Sequence, residues 1–433
     1  MAPSGEERSG PGDIVRRGAA GPSRGTLDRN RGEMDKIRSV TAPYRARTLR
    51  RLGPGIVLAI FVVLLVAVPK TPGALRPTPV LSSLERSGQV SLAGDCGYSS
   101  PLPSDPARSL WLFCDTPVYA RKTDRDGRSS WSLQRFIEGS TAAVSSPGSA
   151  GRAPGDLSEV ATPADPGRPA TSAGAAPAPF LAQPTGLVMP GGSPCGLDGS
   201  YAASWVSGVT RVPSAPDLLI TFNNYCVLGG TGGFVREGFG LAEYDPATGA
   251  LSDDVTVFAG SPLGSPVFSG RYLYLYGPTC TGRQAGRCTG TIVEARVPAS
   301  PAAWSNPLSY RWLASGPAGT WIPDAAAATG VIAGPSPSGV SVASFAAVGR
   351  GYVLVEQTNI DGAFAVYGSA SPAGPWKRVT SGRVPCRAAA GYANFCRAII
   401  GHPELSMRAQ LVLSYFNPAA AAHGHVMVAG FRW

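Results

Sequence analysis

Two aspartates, Asp95 in A-G-D-C-G-Y-S-S-P-L (93–102) and Asp115 in W-L-F-C-D-T (111–116), are spaced to meet across one β-hairpin. Each adjoins a cysteine, Cys96 or Cys114. If these cysteines are bridged across antiparallel strands, the centre of symmetry falls at residue 105, inside the turn-like S-D-P-A-R (104–108), as a hairpin requires. That register sets Asp95 directly opposite Asp115, with both carboxylates on the face away from the disulfide and Cβ atoms about 4.5–5.5 Å apart. Like charges so close resist joint ionisation, so one pKa rises and the pair can present an acid and a base at one pH. The structural alternative is that both residues cap turns or strand ends, satisfied by backbone N–H groups or an arginine.

Other candidates are more dispersed. Glu404 and His402 lie in G-H-P-E-L-S (401–406), where Pro403 fixes the chain and the pair suits substrate contact or a buried polar clasp. Asp198, in C-G-L-D-G-S-Y (195–201), is a further carboxylate, although D-G is also turn chemistry. Tyr98 and Tyr201 stand beside Gly/Ser-rich strand starts and suit stacking on a sugar face. There is no G-x-S-x-G, no Walker sequence and no G-x-G-x-x-G opening a helix, which removes a serine-hydrolase elbow, a P-loop and a Rossmann site. No C-x-x-C occurs and the three histidines do not complete a zinc spacing, so no metal or other cofactor is expected.

The elements that must position these groups form a repeat. Five β-prone apolar strands end in small or polar residues, at 108–116, 216–225, 270–278, 350–359 and 409–418. Each follows a short Gly/Ser-rich segment and precedes another strand-like run, at 132–137, 239–246, 291–298, 364–370 and 426–433. One such unit cannot bury both faces of its sheet, so stacking in a ring is the expected solution, an all-β five-bladed β-propeller rather than a sandwich. Closure by the last strand onto a sheet begun near the start of the domain is also expected.

Residues 1–51 hold +6 of the chain's formal net charge of +10 and read as a disordered basic cytoplasmic tail. The uncharged run 52–69 reads as a single transmembrane helix with the N-terminus inside, or else as a cleaved signal that would release the domain. A tether over 70–87 leads to an extracytoplasmic propeller at 88–433, interrupted at 139–185 by a disordered insertion rich in Ala, Pro, Gly and Ser. The near-balanced charge of the folded part excludes a nucleic-acid partner. All eight cysteines follow residue 90, and an even count in an exported chain points to disulfides. Sequential pairing is simplest: Cys96/Cys114, Cys195/Cys226, Cys280/Cys288 and Cys386/Cys396.

D-x-G-Y-S followed by W-L-F-x-D-T, G-S-P-V-F with Y-L-Y-L-Y-G, G-P-W (374–376), and H-P-E-L with L-V-L-S-Y together resemble an actinobacterial family of formerly uncharacterised domains. Its members are similar to five-bladed propeller glycosidases and include endo-D-arabinofuranases that cut cell-wall arabinan. The resemblance spans nearly all of 88–433 outside the insertion, and implies that Asp95 and Asp115 are the catalytic carboxylates. Cys96 and Cys114 replace glycines of the family pattern, which reads as one disulfide added beside the site. The implied protein is a membrane-tethered glycoside hydrolase whose partner is an envelope polysaccharide. A directly opposed pair favours the retaining geometry. The competing reading is a non-catalytic propeller that binds envelope glycan or a partner protein.

Overall fold

The computed structural model describes residues 75–160 and 179–433, apart from 190–191, 198, 229–232, 253–254, 261–262, 280–281, 285–286, 315–318, 335–338, 388–394 and 421–422. The basic tail, the apolar run 52–69, Asp198, Cys280 and the side chain of Cys288 lie outside the described residues. No described helix is long and apolar enough to cross a membrane.

Five antiparallel sheets follow one another along the chain. Their inner strands are Cys96–Pro101, Tyr201–Arg211, Gly264–Ser269, Gly339–Ser344 and Arg397–Gly401. Each inner strand neighbours the next, and the fifth neighbours the first, so the ring is closed and the fold is a five-bladed propeller. The inner strands carry many small residues because they converge on the axis. A Cβ on Gly208, for example, would sit 2.3 Å from Pro266 of the next blade.

The five apolar runs seen in sequence are the second strands: Ser109–Phe113, Leu218–Val227, Tyr272–Pro278, Tyr352–Gln357 and Gln410–Asn417. They are apolar on both faces because each packs against two neighbouring blades, alternate residues facing opposite ways. Leu110 and Leu112 enter the core shared with blade 2, whereas Trp111 enters the core shared with blade 5. Leu218 and Ile220 face blade 1, and Leu219 faces blade 3. The remaining cores lie between blades 3 and 4 and between blades 4 and 5. Each fully buried leucine contributes about 1.5–3 kcal/mol.

Three expectations are corrected in the first blade and at the seam. The run 132–137 is not a blade strand: it belongs to Ser129–Ile137, which pairs with Thr116–Thr123 and Val90–Leu92 in a separate three-stranded sheet. The third strand of blade 1 is instead Thr141–Ser145, with Leu157–Glu159 outside it. The stretch 139–185 is therefore not one disordered insertion, because it supplies two blade strands, and Phe180 and Leu181 are fully buried in the core between blades 1 and 2. Small residues suffice in Thr141–Ser145 because its neighbours are already bulky. Likewise 75–87 is no tether: Thr78–Pro79 pairs with His425–Arg432, Thr78 opposite Val428, as the outer strand of blade 5.

Three disulfides are present among the described residues, Cys96–Cys114, Cys195–Cys226 and Cys386–Cys396, matching sequential pairing. The fourth expected pair, Cys280/Cys288, lies outside them.

Candidate active site

Asp95 precedes the inner strand of blade 1 and Asp115 follows the second strand, so both lie at the mouth where the inner strands begin. The register is as expected from Tyr98↔Leu112 to Pro101↔Ser109. A bulge at Gly97 then shifts it by one, pairing Cys96 with Phe113 and giving the Asp95 carbonyl the Cys114 N–H at 3.0 Å. Asp95 is thus not directly opposite Asp115, and the retaining geometry argued from direct opposition loses its basis. Cys96 and Gly97 both take left-handed backbone, φ 68° and 87°. A Cβ on Gly97 would lie 2.8 Å from Val426, so this position requires glycine twice over.

The two carboxylates have different surroundings. Asp115 is largely enclosed, and three donors aim at it: Gly139 N (2.8 Å) and Trp205 Nε1 (2.8 Å) at Oδ1, and the Tyr201 hydroxyl (2.5 Å) at Oδ2. Burial pushes its pKa up to about 6, against the three hydrogen bonds, and the charge of Asp95 adds to the rise. Asp95 instead receives Arg397 Nε at Oδ2 (2.5 Å), an ion pair between the heads of the first and fifth inner strands. The Arg397 guanidinium rests over the Phe416 ring, 4.0 Å from its centroid. A register shift in blade 5 between Arg397 and Ile400 turns the arginine toward the seam, mirroring the bulge at Gly97. With both sulfurs in a disulfide, Cys96 and Cys114 offer no thiolate beside Asp95 to hold a metal.

The sequence candidates separate into two groups. Tyr201 joins the aspartates by direct hydrogen bond, and burial, with the Asp115 charge second, raises its phenol above the usual range. Tyr98, three residues down the strand from Asp95, lines a cavity along the inner strands and has a phenol raised first by burial. Glu404 and His402 are not brought to the aspartates. Ser99 bonds to His402 Nδ1 at 2.6 Å and to Glu404 Oε1, and Ser99 is four residues down the strand from Asp95, roughly 13 Å at ordinary strand rise. His402 is fully buried and stacked on Trp111, with centroids 5.0 Å apart. The pair therefore clasps blade 5 to blade 1, while Glu404 also borders a cavity of about 430 Å³ that runs along the axis between Tyr98, Gly208, Ser265 and Ser341. Neither aspartate lines that cavity.

Arg397, Gly139 and Trp205 are site residues that sequence reasoning missed. A signal existed for the first. Opposite charges beside a cysteine, Asp95-Cys96 and Cys396-Arg397, head the two inner strands that ring closure must set side by side.

No protein-family model and no curated protein matches the chain. Solved structures do. A Bacteroides ovatus protein provisionally named a hydrolase aligns with a TM-score of 0.51 at 14% identity, covering 80% of this chain and 89% of that one. The GH43_1 enzyme of Xanthomonas citri, crystallised with xylose, aligns at 0.42 and 12% identity over 82% of this chain and 89% of its own. A family 117 glycoside hydrolase of Zobellia galactanivorans aligns at 0.42 and 8% identity over 83% and 90%. At such identities the likeness is one of fold alone.

Proposed function

We propose that this chain is a membrane-tethered glycoside hydrolase that cleaves within an envelope furanose polymer, D-arabinan being the substrate implied by the sequence resemblance. The observation that carries the reading is the pairing of two aspartates in unlike environments at one mouth of a propeller. Asp115, buried and with its pKa raised to about 6, is the general acid that protonates the leaving glycosidic oxygen. Asp95, held by Arg397, is the carboxylate that attacks the anomeric carbon or activates a water. In this reading 52–69 anchors the chain with its N-terminus in the cytoplasm and the propeller outside.

The test is release of oligosaccharides from purified D-arabinan by the full-length chain in detergent. Asp95→Asn and Asp115→Asn should each abolish release while glycan binding and the fold persist, because the amides keep shape and remove the proton chemistry. Full activity in both variants would refute the assignment. A second reading, a non-catalytic glycan-binding propeller, is favoured by one observation: three donors already occupy Asp115, as in a purely structural carboxylate. Wild-type chain that binds arabinan and releases nothing would establish it.

A further inference from the structure

The two side chains that hold Asp115 each carry an exposed phenylalanine. Phe136, from the separate three-stranded sheet, meets Tyr201 edge-on with ring centroids 5.6 Å apart. Phe234, at the start of the third strand of blade 2, meets Trp205 at 5.4 Å and Tyr225 at 5.1 Å, and Trp205 lies 4.5 Å from Tyr225. Phe136 is 40% exposed and Phe234 52%. A single exposed apolar residue is ordinary. Here two of them, from distant parts of the chain, cap two groups of rings, Tyr201 with Phe136 and Trp205 with Tyr225 and Phe234, that meet at one buried carboxylate.

The second group has a polar edge. Arg236 donates through Nε to the Tyr225 hydroxyl at 3.2 Å, and its guanidinium lies 5.6 Å from that ring's centroid. A sugar ring has C–H faces and hydroxyl edges, and so matches an aromatic face bordered by donors. A wholly apolar protein segment would match the rings but not the arginine that borders them.

We infer that Phe136 on Tyr201 and Phe234 on Trp205 form two aromatic subsites bordering Asp115, on which successive sugar rings of a neutral glycan lie. This rests on the hydrolase reading for its substrate and goes beyond it by assigning the subsites. Because two separate groups of rings meet at Asp115, a longer glycan engages both and affinity grows with chain length, as suits attack inside a polymer.

The experiment uses the full-length chain in detergent with purified D-arabinan and with arabino-oligosaccharides of defined length. It reads tryptophan fluorescence for binding, since Trp205 touches Phe234, together with kcat and KM. Phe136→Ala and Phe234→Ala should each weaken polymer binding about three- to tenfold, the worth of one aromatic contact. Both should flatten the gain of affinity with length while kcat and the thermal midpoint stay near wild type, and Phe234→Tyr should restore binding. If the chain cleaves arabinan and KM is untouched in both alanine variants, the two subsites are refuted and the hydrolase reading stands. Binding lost in those variants without any cleavage by wild type supports the subsites and refutes the hydrolase. Wild type that neither binds nor cleaves refutes both.

Discussion

Arg397 reaches across the seam of the ring to Asp95, Nε to Oδ2 at 2.5 Å, so that the pair which holds a candidate catalytic carboxylate also ties the last blade to the first. The two side chains keep 24% and 17% of their surface exposed, which softens the ion pair without removing it. Arg397→Met should lower stability by about 1–3 kcal/mol in denaturant unfolding, since it strands a half-buried carboxylate. Adding Asp95→Asn should cost less than the sum of the single changes, a coupling that a double-mutant cycle reads directly.

Asp115 should govern the pH profile. A general acid with a pKa near 6 gives kcat/KM an alkaline limb there. Tyr201→Phe removes a hydrogen bond that lowers this pKa, so the limb should move to higher pH; Asp95→Asn removes a charge that raises it and is expected to be inactive, so its effect must be read by carboxyl titration, as a downward move. Stability follows the same group. Folded Asp115 keeps its proton to about 6 while the unfolded chain releases it at the ordinary value of 3.8, so its contribution is full below about 4 and is lost as pH rises through 6. Asp115→Asn should flatten that slope.

Glu294 is fully buried between blades 3 and 4, and neither of its carboxylate oxygens has a hydrogen-bond partner among the described residues. Burial raises its pKa well above normal, only partly offset by Arg296. Its raised folded pKa makes stability fall as pH climbs above the unfolded value of 4.5. Glu294→Gln should therefore unfold at higher temperature than wild type at neutral pH, with the difference vanishing near pH 4.

Replacing Cys96 and Cys114 with alanine should lower stability by about 2–4 kcal/mol. Cys96, a non-glycine residue in left-handed backbone beside the Gly97 bulge, is one end of that bridge, so hydrogen exchange at 94–98 should speed up more than elsewhere.

Deleting 139–185 should abolish folding, because it removes Thr141–Ser145 and the buried Phe180 and Leu181. Deleting only 161–178, which has no aromatic or branched apolar residue, should leave the melting temperature nearly unchanged.

The blades were legible because a strand packed on both faces must be apolar throughout, and all five second strands, Leu218–Val227 most clearly, have that signature. Thr141–Ser145 was hidden because its small residues fill little space and its flank is Ala/Pro-rich. The disulfide and the lower hairpin register followed from symmetry about residue 105. The upper register did not, since one glycine in left-handed backbone shifts it without any change in the apolar pattern. Arg397 is a contact between opposite ends of the chain, and only the closed ring puts it beside Asp95.

Blade 5 takes its outer strand from Thr78–Pro79 and its other three from the final residues, Trp433 Nε1 itself donating to the Met407 carbonyl at 3.0 Å. Among the described residues no disulfide spans that join. A chain emerging N-terminus first thus holds Asp95 long before Arg397 exists, and the candidate site is complete only once blade 5 has been made and the ring has closed. Loop-closure entropy rises slowly with length, so the late join is thermodynamically cheap, yet contacts this distant in sequence form slowly. Until then Asp95 is without Arg397, whereas Asp115 already has its three donors from Gly139, Tyr201 and Trp205.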